Sequence, residues 1–293
     1  MPSLKQIRTK ISSVKGTRRI MSAMKLISAV KLQRAQSLLL SFRPYSDVFR
    51  ETAMSLAVRC DPDLHPILRR PQEKKRLHVV IMTSDRGLCG SFNSNLLRKL
   101  DTFLVTEAKG YEQVALSFIG RRGRDHFAKS RYRVVQSYIG INERNFKEIS
   151  IRVSSELTKE FIKGESDEVL LVYNYFRSAI SNVITFQRLL PIELDNLDSE
   201  IKPVDYLYEP SRKEVLDSVL PKYIDVSVLR AINESVTSEH ASRRTAMENA
   251  TRNAVDVIRR LTLLFNKTRQ AQITKELMDI VNGTEALSKA GID

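Results

Sequence analysis

From Lys222 to Asn282 the chain runs without a glycine or a proline. At 1.5 Å rise per residue an unbroken helix of that length reaches roughly 90 Å. An average globular helix has about three turns, so this one cannot be hidden in an ordinary domain and must pair along its length. A face with alternating spacings of three and four is written along it: Met247, Ala250, Ala254, Val257, Leu261, Leu264, Thr268, Ala271, Lys275 and Met278. That is a coiled-coil seam. Leu4, Ile7, Ile11, Val14, Ile20, Met24 and Ile27 carry similar spacing near the other end and offer the partner. Asn282-Gly283 reads as the stop of the long helix, because both residues tolerate left-handed backbone.

The first helix is expected to begin near Leu4 with Ser3 as its N-cap, to tolerate Gly16, and to kink or rewind at Pro44 before running on to about Val58. Cys60 to Arg76, with Pro62, Pro66 and Pro71, reads as a connecting loop. Beyond it, strands are expected at Leu77–Ser84, Val114–Gly120, Val134–Ile139, Val169–Phe176 and Val183–Pro191. Helices are expected at about Asn93–Lys109, just after Arg121, and at Phe146–Lys163. Strands alternating with helices argue for a parallel, doubly wound sheet. The fold class is therefore α/β, a long antiparallel coiled coil of the terminal helices plus a central Rossmann-like domain. The expected domains are residues 1–60, 77–201 and 211–287, with Pro203–Pro221 as the link back to the long helix.

The formal net charge of +14 is unevenly placed. No acidic residue occurs from Met1 to Ser46, while ten basic ones do, from Lys5 to Arg43. Such a helix suits an anionic neighbour: nucleic acid, anionic lipid or an acidic protein surface. A basic coiled-coil nucleic-acid-binding protein is the alternative reading, but the helix has no aromatic residue for base stacking before Phe42 and Tyr45. No run approaches the ~20 apolar residues of a membrane span. Two cysteines, Cys60 and Cys89, form neither a disulfide framework nor a zinc motif.

Ser84 to Asn93 (SDRGLCGSFN) follows a strand and opens a helix, where α/β folds bind ligands. It matches neither a phosphate loop nor a dinucleotide fingerprint. Cys89 at a helix start is a candidate thiolate, but a small residue fitted into a tight turn explains it better. His65, His78, His126 and His240 are scattered, and no nucleophile elbow accompanies them. The basic turn Gly120-Arg121-Arg122-Gly123-Arg124 is a candidate anion holder, equally a surface loop. The polar seam residues Thr268, Gln270, Thr274 and Lys275 either fix register or mark where the helix leaves its partner.

Three blocks carry more than periodicity. Ile7–Ala35 (IRTKISSVKGTRRIMSAMKLISAVKLQRA), Ser84–Asn93 and Ser238–Leu277 (SEHASRRTAMENATRNAVDVIRRLTLLFNKTRQAQITKEL) resemble, in order, the start, central loop and C-terminal signature of the gamma subunit of F-type ATP synthases. The resemblance implies a non-catalytic central rotor shaft, without cofactor, coupling proton-driven rotation of a c-ring to ATP synthesis or hydrolysis at beta subunits. The implied partners are the alpha and beta subunits, the epsilon subunit and the c-ring, with no nucleic acid. It implies contact with the alpha/beta ring at Met24, Lys25, Arg269, Gln270, Thr274 and Glu276. Ser84, Asp85, Arg86, Gly87, Cys89 and Gly90 match a loop joining foot and shaft, and Tyr206, Tyr208 and Glu209 match a c-ring and epsilon contact. The basic first helix would face acidic loops of the beta subunits. Arg244 stands where this family usually carries an apolar residue, and the dithiol insert of chloroplast forms is missing. A start without targeting sequence leads to an expected place at the cytoplasmic face of a bacterial inner membrane, as a peripheral protein.

Overall fold

A computed structural model describes residues 3–61, 64–69, 71, 73–192, 206–289 and 291. Pro62, the expected domain end at Ile201 and the expected link start at Pro203 lie outside them. The elements, in order, are α1 (Leu4–Val58), β1 (Arg76–Met82), α2 (Phe92–Thr106), β2 (Gln113–Ile119), α3 (Arg121–Phe127), β3 (Arg133–Tyr138), α4 (Phe146–Ile162), β4 (Glu168–Ser178), β5 (Ser181–Leu190) and α5 (Arg212–Lys289). The chain divides into two compact units, one of Met1–Ile27 with Ala246–Asp293, the other of Ser28–Thr245. The helices α1 and α5 contribute to both.

The start of α1 is a capping box: Gln6 N–H donates to Ser3 Oγ at 3.3 Å and Ser3 N–H to Gln6 Oε1 at 2.9 Å. The helix then passes Pro44 without interruption. Its inward positions keep one 3-4 phase, interrupted at the exposed Arg18. In the first unit they are Leu4, Ile7, Ile11, Val14 and Met21, buried or half-buried. In the second unit they are Ser28, Leu32, Ala35, Leu39, Phe42, Ser46, Phe49, Ala53 and Leu56. This corrects the sequence reading, which put Ile20 and Ile27 on the seam: they are 63% and 58% exposed. Each stands one residue before the true seam position, Met21 or Ser28, and the larger apolar side chain misled the reading.

Both ends of α5 and one of its seam positions also need correcting. It begins at Arg212, so Pro221, read as the end of the link, lies inside the helix. It does not stop at Asn282-Gly283 but runs to Lys289; the left-handed glycine is Gly291, at φ 63°. Phe265 is half-buried whereas Leu264 is 43% exposed, so Phe265 takes the inward position. From Arg269 to Ala286 every residue is exposed.

In the second unit the five strands are ordered β3-β2-β1-β4-β5. The first four are parallel, but β5 pairs antiparallel with β4. The sheet is therefore mixed, not wholly parallel. Only Ala179 and Ile180 separate β4 from β5, far short of a crossover, so the strand must fold straight back. Alternation along β1 splits the core. Leu77, Val79 and Ile81 face Leu96, Leu97 and Leu100 of α2. Val80 and Met82 face a larger cluster holding Val153 and Leu157 of α4, Ala53 and Leu56 of α1, and Leu216, Leu220 and Ile224 of α5. The expected connecting loop belongs to this core: Ile67 and Leu68 are 0% and 3% exposed in a tight turn capped by His65 Nδ1, which accepts from Ile67 N–H at 3.1 Å. Within this unit α1 and α5 run antiparallel, since Arg43 meets Glu234 while Asp47 meets Arg230.

Candidate interaction surfaces

Met24 is half-buried in the first unit, and its neighbour Lys25 is not free. Lys25 Nζ lies 3.3 Å from Glu248 Oε1, which Arg252 also approaches at 3.1 Å. Lys25, and then Arg252, hold the Glu248 carboxyl below its ordinary value. Arg269, Gln270, Thr274 and Glu276 lie on the exposed last quarter of α5. Thr274 Oγ1 donates to the Gln270 carbonyl at 3.0 Å, and Gln272 Nε2 to Glu276 Oε1 at 3.1 Å. Arg269 is 21 residues beyond Glu248, about 30 Å along the helix, so the two expected contact groups are separate places. Ile273, Leu277, Met278, Ile280 and Val281 are each 49–64% exposed on the same stretch.

The loop Ser84–Gly90 is held from three sides, all in the second unit. Asn93, in the first turn of α2, receives Ser84 N–H on Oδ1 at 3.0 Å and donates from Nδ2 to Ser84 Oγ at 2.7 Å and Cys89 Sγ at 3.2 Å. Cys89 is 2% exposed, a packed turn residue rather than an accessible nucleophile. The Asp85 carboxylate accepts from Arg121 N–H at 2.9 Å and from Gly140 and Ile141 N–H at 2.8 and 3.1 Å. The chain's own anion thus occupies the backbone donors at the strand ends. In the same turn Arg122 N–H is taken by Ser84 O and Gly123 N–H by Thr83 Oγ1, so the basic turn offers an anion no free backbone cradle. Gly120, at φ 113°, could carry no side chain, because a Cβ would stand 2.0 Å from Thr83 O. The third hold is Arg243 of α5, whose guanidinium donates to Arg86 O at 3.1 Å and Gly87 O at 3.3 Å while pairing with Glu239 at 2.6 Å. Arg244 beside it is exposed, so a charged side chain stands there in place of the expected apolar one without being buried.

Tyr206 and Tyr208 stand edge to face, with Arg59 over the first ring at 5.1 Å and Arg212 over the second at 4.8 Å. Tyr206 O–H donates to Ser55 Oγ at 3.2 Å. Glu209 is exposed, and Leu207 between the tyrosines is 96% exposed.

Two polar groups escaped the sequence reading. Glu234 is fully buried, with Arg43 donating at 2.9 and 2.7 Å, Phe176 N–H donating at 3.0 Å, and Arg43 also bonded to Phe176 O. This clamp ties α1, α5 and β4, and nothing in the local pattern of either residue announces it. Ser117 Oγ, His78 and Glu160 form a hydrogen-bonded row at 2.9 and 2.6 Å under α4. Ser117 is 4% exposed, which leaves its hydroxyl no approach for a substrate. Among the described residues no group of three or more His, Cys, Asp or Glu is placed to hold a metal, and no helix is long and apolar enough to cross a membrane.

The family model described as ATP synthase matches residues 3–287. The chain belongs to the ATP synthase gamma chain family. It is 44% identical to the ATP synthase gamma chain of Anaeromyxobacter sp. strain Fw109-5, over 98% of this chain and 100% of that one. With the gamma chain of Syntrophus aciditrophicus it shares 41%, over 99% and 100%. Among solved structures it is similar to a chain of the Tetrahymena thermophila mitochondrial ATP synthase central stalk and c-ring, with a TM-score of 0.61 and 26% identity, covering 79% of this chain and 99% of that one. A chain from the Euglena gracilis mitochondrial ATP synthase (OSCP, F1 and c-ring), 19% identical with a TM-score of 0.69 over 99% and 96%, has a similar fold.

Proposed function

We propose that the chain is the central rotor shaft of an F-type ATP synthase, turning with a proton-driven c-ring and driving the beta subunits of an alpha/beta ring through their catalytic states. The observation that carries this reading is the last quarter of α5, whose side chains, apolar ones included, are bare from Arg269 to Ala286. A stretch of that kind needs a surface supplied by another chain, and membership of the gamma chain family says which complex supplies it. The beta subunits are the partners for Met24, Lys25, Arg269, Gln270, Thr274 and Glu276; the c-ring and epsilon subunit are those for Tyr206, Tyr208 and Glu209. The chain is a subunit of the complex without catalytic residues of its own, held at the cytoplasmic face of a bacterial inner membrane through its partners. Its buried Cys89 and Ser117 and its internally satisfied strand-end donors support that assignment. The test is reconstitution. The purified chain should hydrolyse no ATP, and its addition to alpha and beta subunits should yield a stable complex with multi-turnover ATPase. Hydrolysis by the chain alone, or failure to assemble with both subunits, would overturn the reading.

A further inference from the structure

A cavity of about 870 Å³ opens in the second unit at the C-terminal ends of the parallel strands, bounded by α1 and α5. Six basic and three acidic residues line it. Arg243 is matched by Glu239, and the Asp85 carboxylate is consumed by three backbone N–H groups. The other cations are Lys31 and Arg34 from α1, Arg86 from the loop after β1, Arg121 at the start of α3 and Arg144 before α4. None of these five side chains makes a hydrogen bond or ion pair among the described residues. Facing them, Glu143 is the remaining acidic group. Charges of one sign converging on a concave wall focus a positive potential there. On the same wall His240 is pushed down to about 4, mainly by burial, with smaller contributions from Arg243 and Lys31.

We infer that this cavity binds a compact multivalent oxyanion, a diphosphate group, through the side chains of Lys31, Arg34, Arg86, Arg121 and Arg144. The backbone amides that normally cradle phosphate at such strand ends already serve Asp85, Ser84 and Thr83, so guanidinium forks are the available donors. A single phosphate carries too little charge to answer five cations, and the volume accommodates a larger anion. The cations come from four separate segments into one concavity, which suits a compact anion better than the linear row of carboxylates along an acidic helix. Occupancy would tie α1 to the β2–α3 and β3–α4 turns. This inference is independent of the rotor assignment, because it rests on the second unit alone.

The test is calorimetric titration of the full chain with inorganic pyrophosphate in phosphate-free buffer, with ionic strength held constant. Saturable one-to-one binding is expected, and Arg34→Gln combined with Arg121→Gln should weaken it at least tenfold. Arg19→Gln, an exposed cation of the first unit, should change it less than twofold. A thermal melt of each variant separates loss of binding from loss of fold, and Lys31→Gln with Arg144→Gln provides a second pair should the first unfold. ADP in a parallel titration identifies the source: tighter binding than pyrophosphate assigns a nucleoside diphosphate, equal or weaker binding a free diphosphate. No saturation, equal weakening by Arg19→Gln, or binding of a glutamate-rich peptide in place of pyrophosphate would overturn the inference.

Discussion

The Arg43–Glu234 clamp illustrates how much a single buried charge can decide. Glu234 is 0% exposed and survives there because two guanidinium donors and the Phe176 N–H take up its oxygens. Removing one partner of such a pair costs about 3–5 kcal/mol, since the other charge is stranded. Arg43→Met should therefore lower the urea midpoint sharply, and Arg43→Met with Glu234→Leu should recover much of the loss. Recovery no better than the single variant would mean the pair specifies packing that leucine cannot imitate. At His240 the sign of the pH effect follows from its neutral native form. Its folded value of about 4 lies below the ordinary 6.5, so the unfolded chain binds the extra proton between them. Stability contributed by this site is intact above about pH 6.5 and drains away as pH falls towards 4, at up to about 1.4 kcal/mol per unit. His240→Gln should lose nothing to protonation, and melts across that range should show the variant gaining on the parent as pH drops. Residues of this kind were illegible in the sequence, because their meaning lies in partners more than a hundred positions away for Arg43, and in burial for His240. Asp85 sat within a recognised motif, yet only the folded turn shows that it bonds three amides.

Elements were easier to read than their edges. Every strand was found within about two residues because buried strands are short, apolar and fenced by turn residues. The parallel reading failed only at β5, where a two-residue connection forbids a crossover. The long helices were legible in kind and not in phase. A coiled-coil phase is a property of the whole repeat, and the bulky Ile20 and Ile27 pulled the assignment one residue off the line through Met21 and Ser28. Helix ends went wrong for a related reason: glycine permits a left-handed stop without imposing one, and α5 runs through Gly283. The corrected phase is testable in the full chain. Ile7→Asp places a charge at a site 3% exposed and should cost roughly 3 kcal/mol or more. Ile20→Asp, at 63% exposure, should stay within about 0.5 kcal/mol of the parent. Amide exchange over Met247–Thr268 would report each effect locally. Similar protection in the two variants would restore the original seam.

At the scale of the whole molecule, the family was legible because three separated blocks agreed in order and spacing, which no single helix or loop could have supplied. What the chain does with that identity depends on surfaces it cannot cover itself. The residues proposed as contacts on α5 are exposed side chains, and Lys25 is half-buried beside Glu248 in a pair worth little to stability in water. Weak, exchangeable contacts suit a rotor that must pass successive partners in turn, because a tight one would hold it at the first. It follows that loosening a contact should do less harm than fixing it. Lys25→Gln in the assembled complex should alter the ATP hydrolysis rate less than about threefold, as expected of an interaction under 1 kcal/mol. A disulfide between Glu276→Cys and a cysteine placed on the facing beta subunit should instead arrest multi-turnover hydrolysis while nucleotide still binds. Reductant added to the same sample should restore the rate, with the crosslink followed on a non-reducing gel. Undiminished turnover through a complete crosslink would make the chain a static scaffold. Arrest that reductant failed to relieve would point to damage at the contact, and only loss followed by recovery fits a shaft that has to turn.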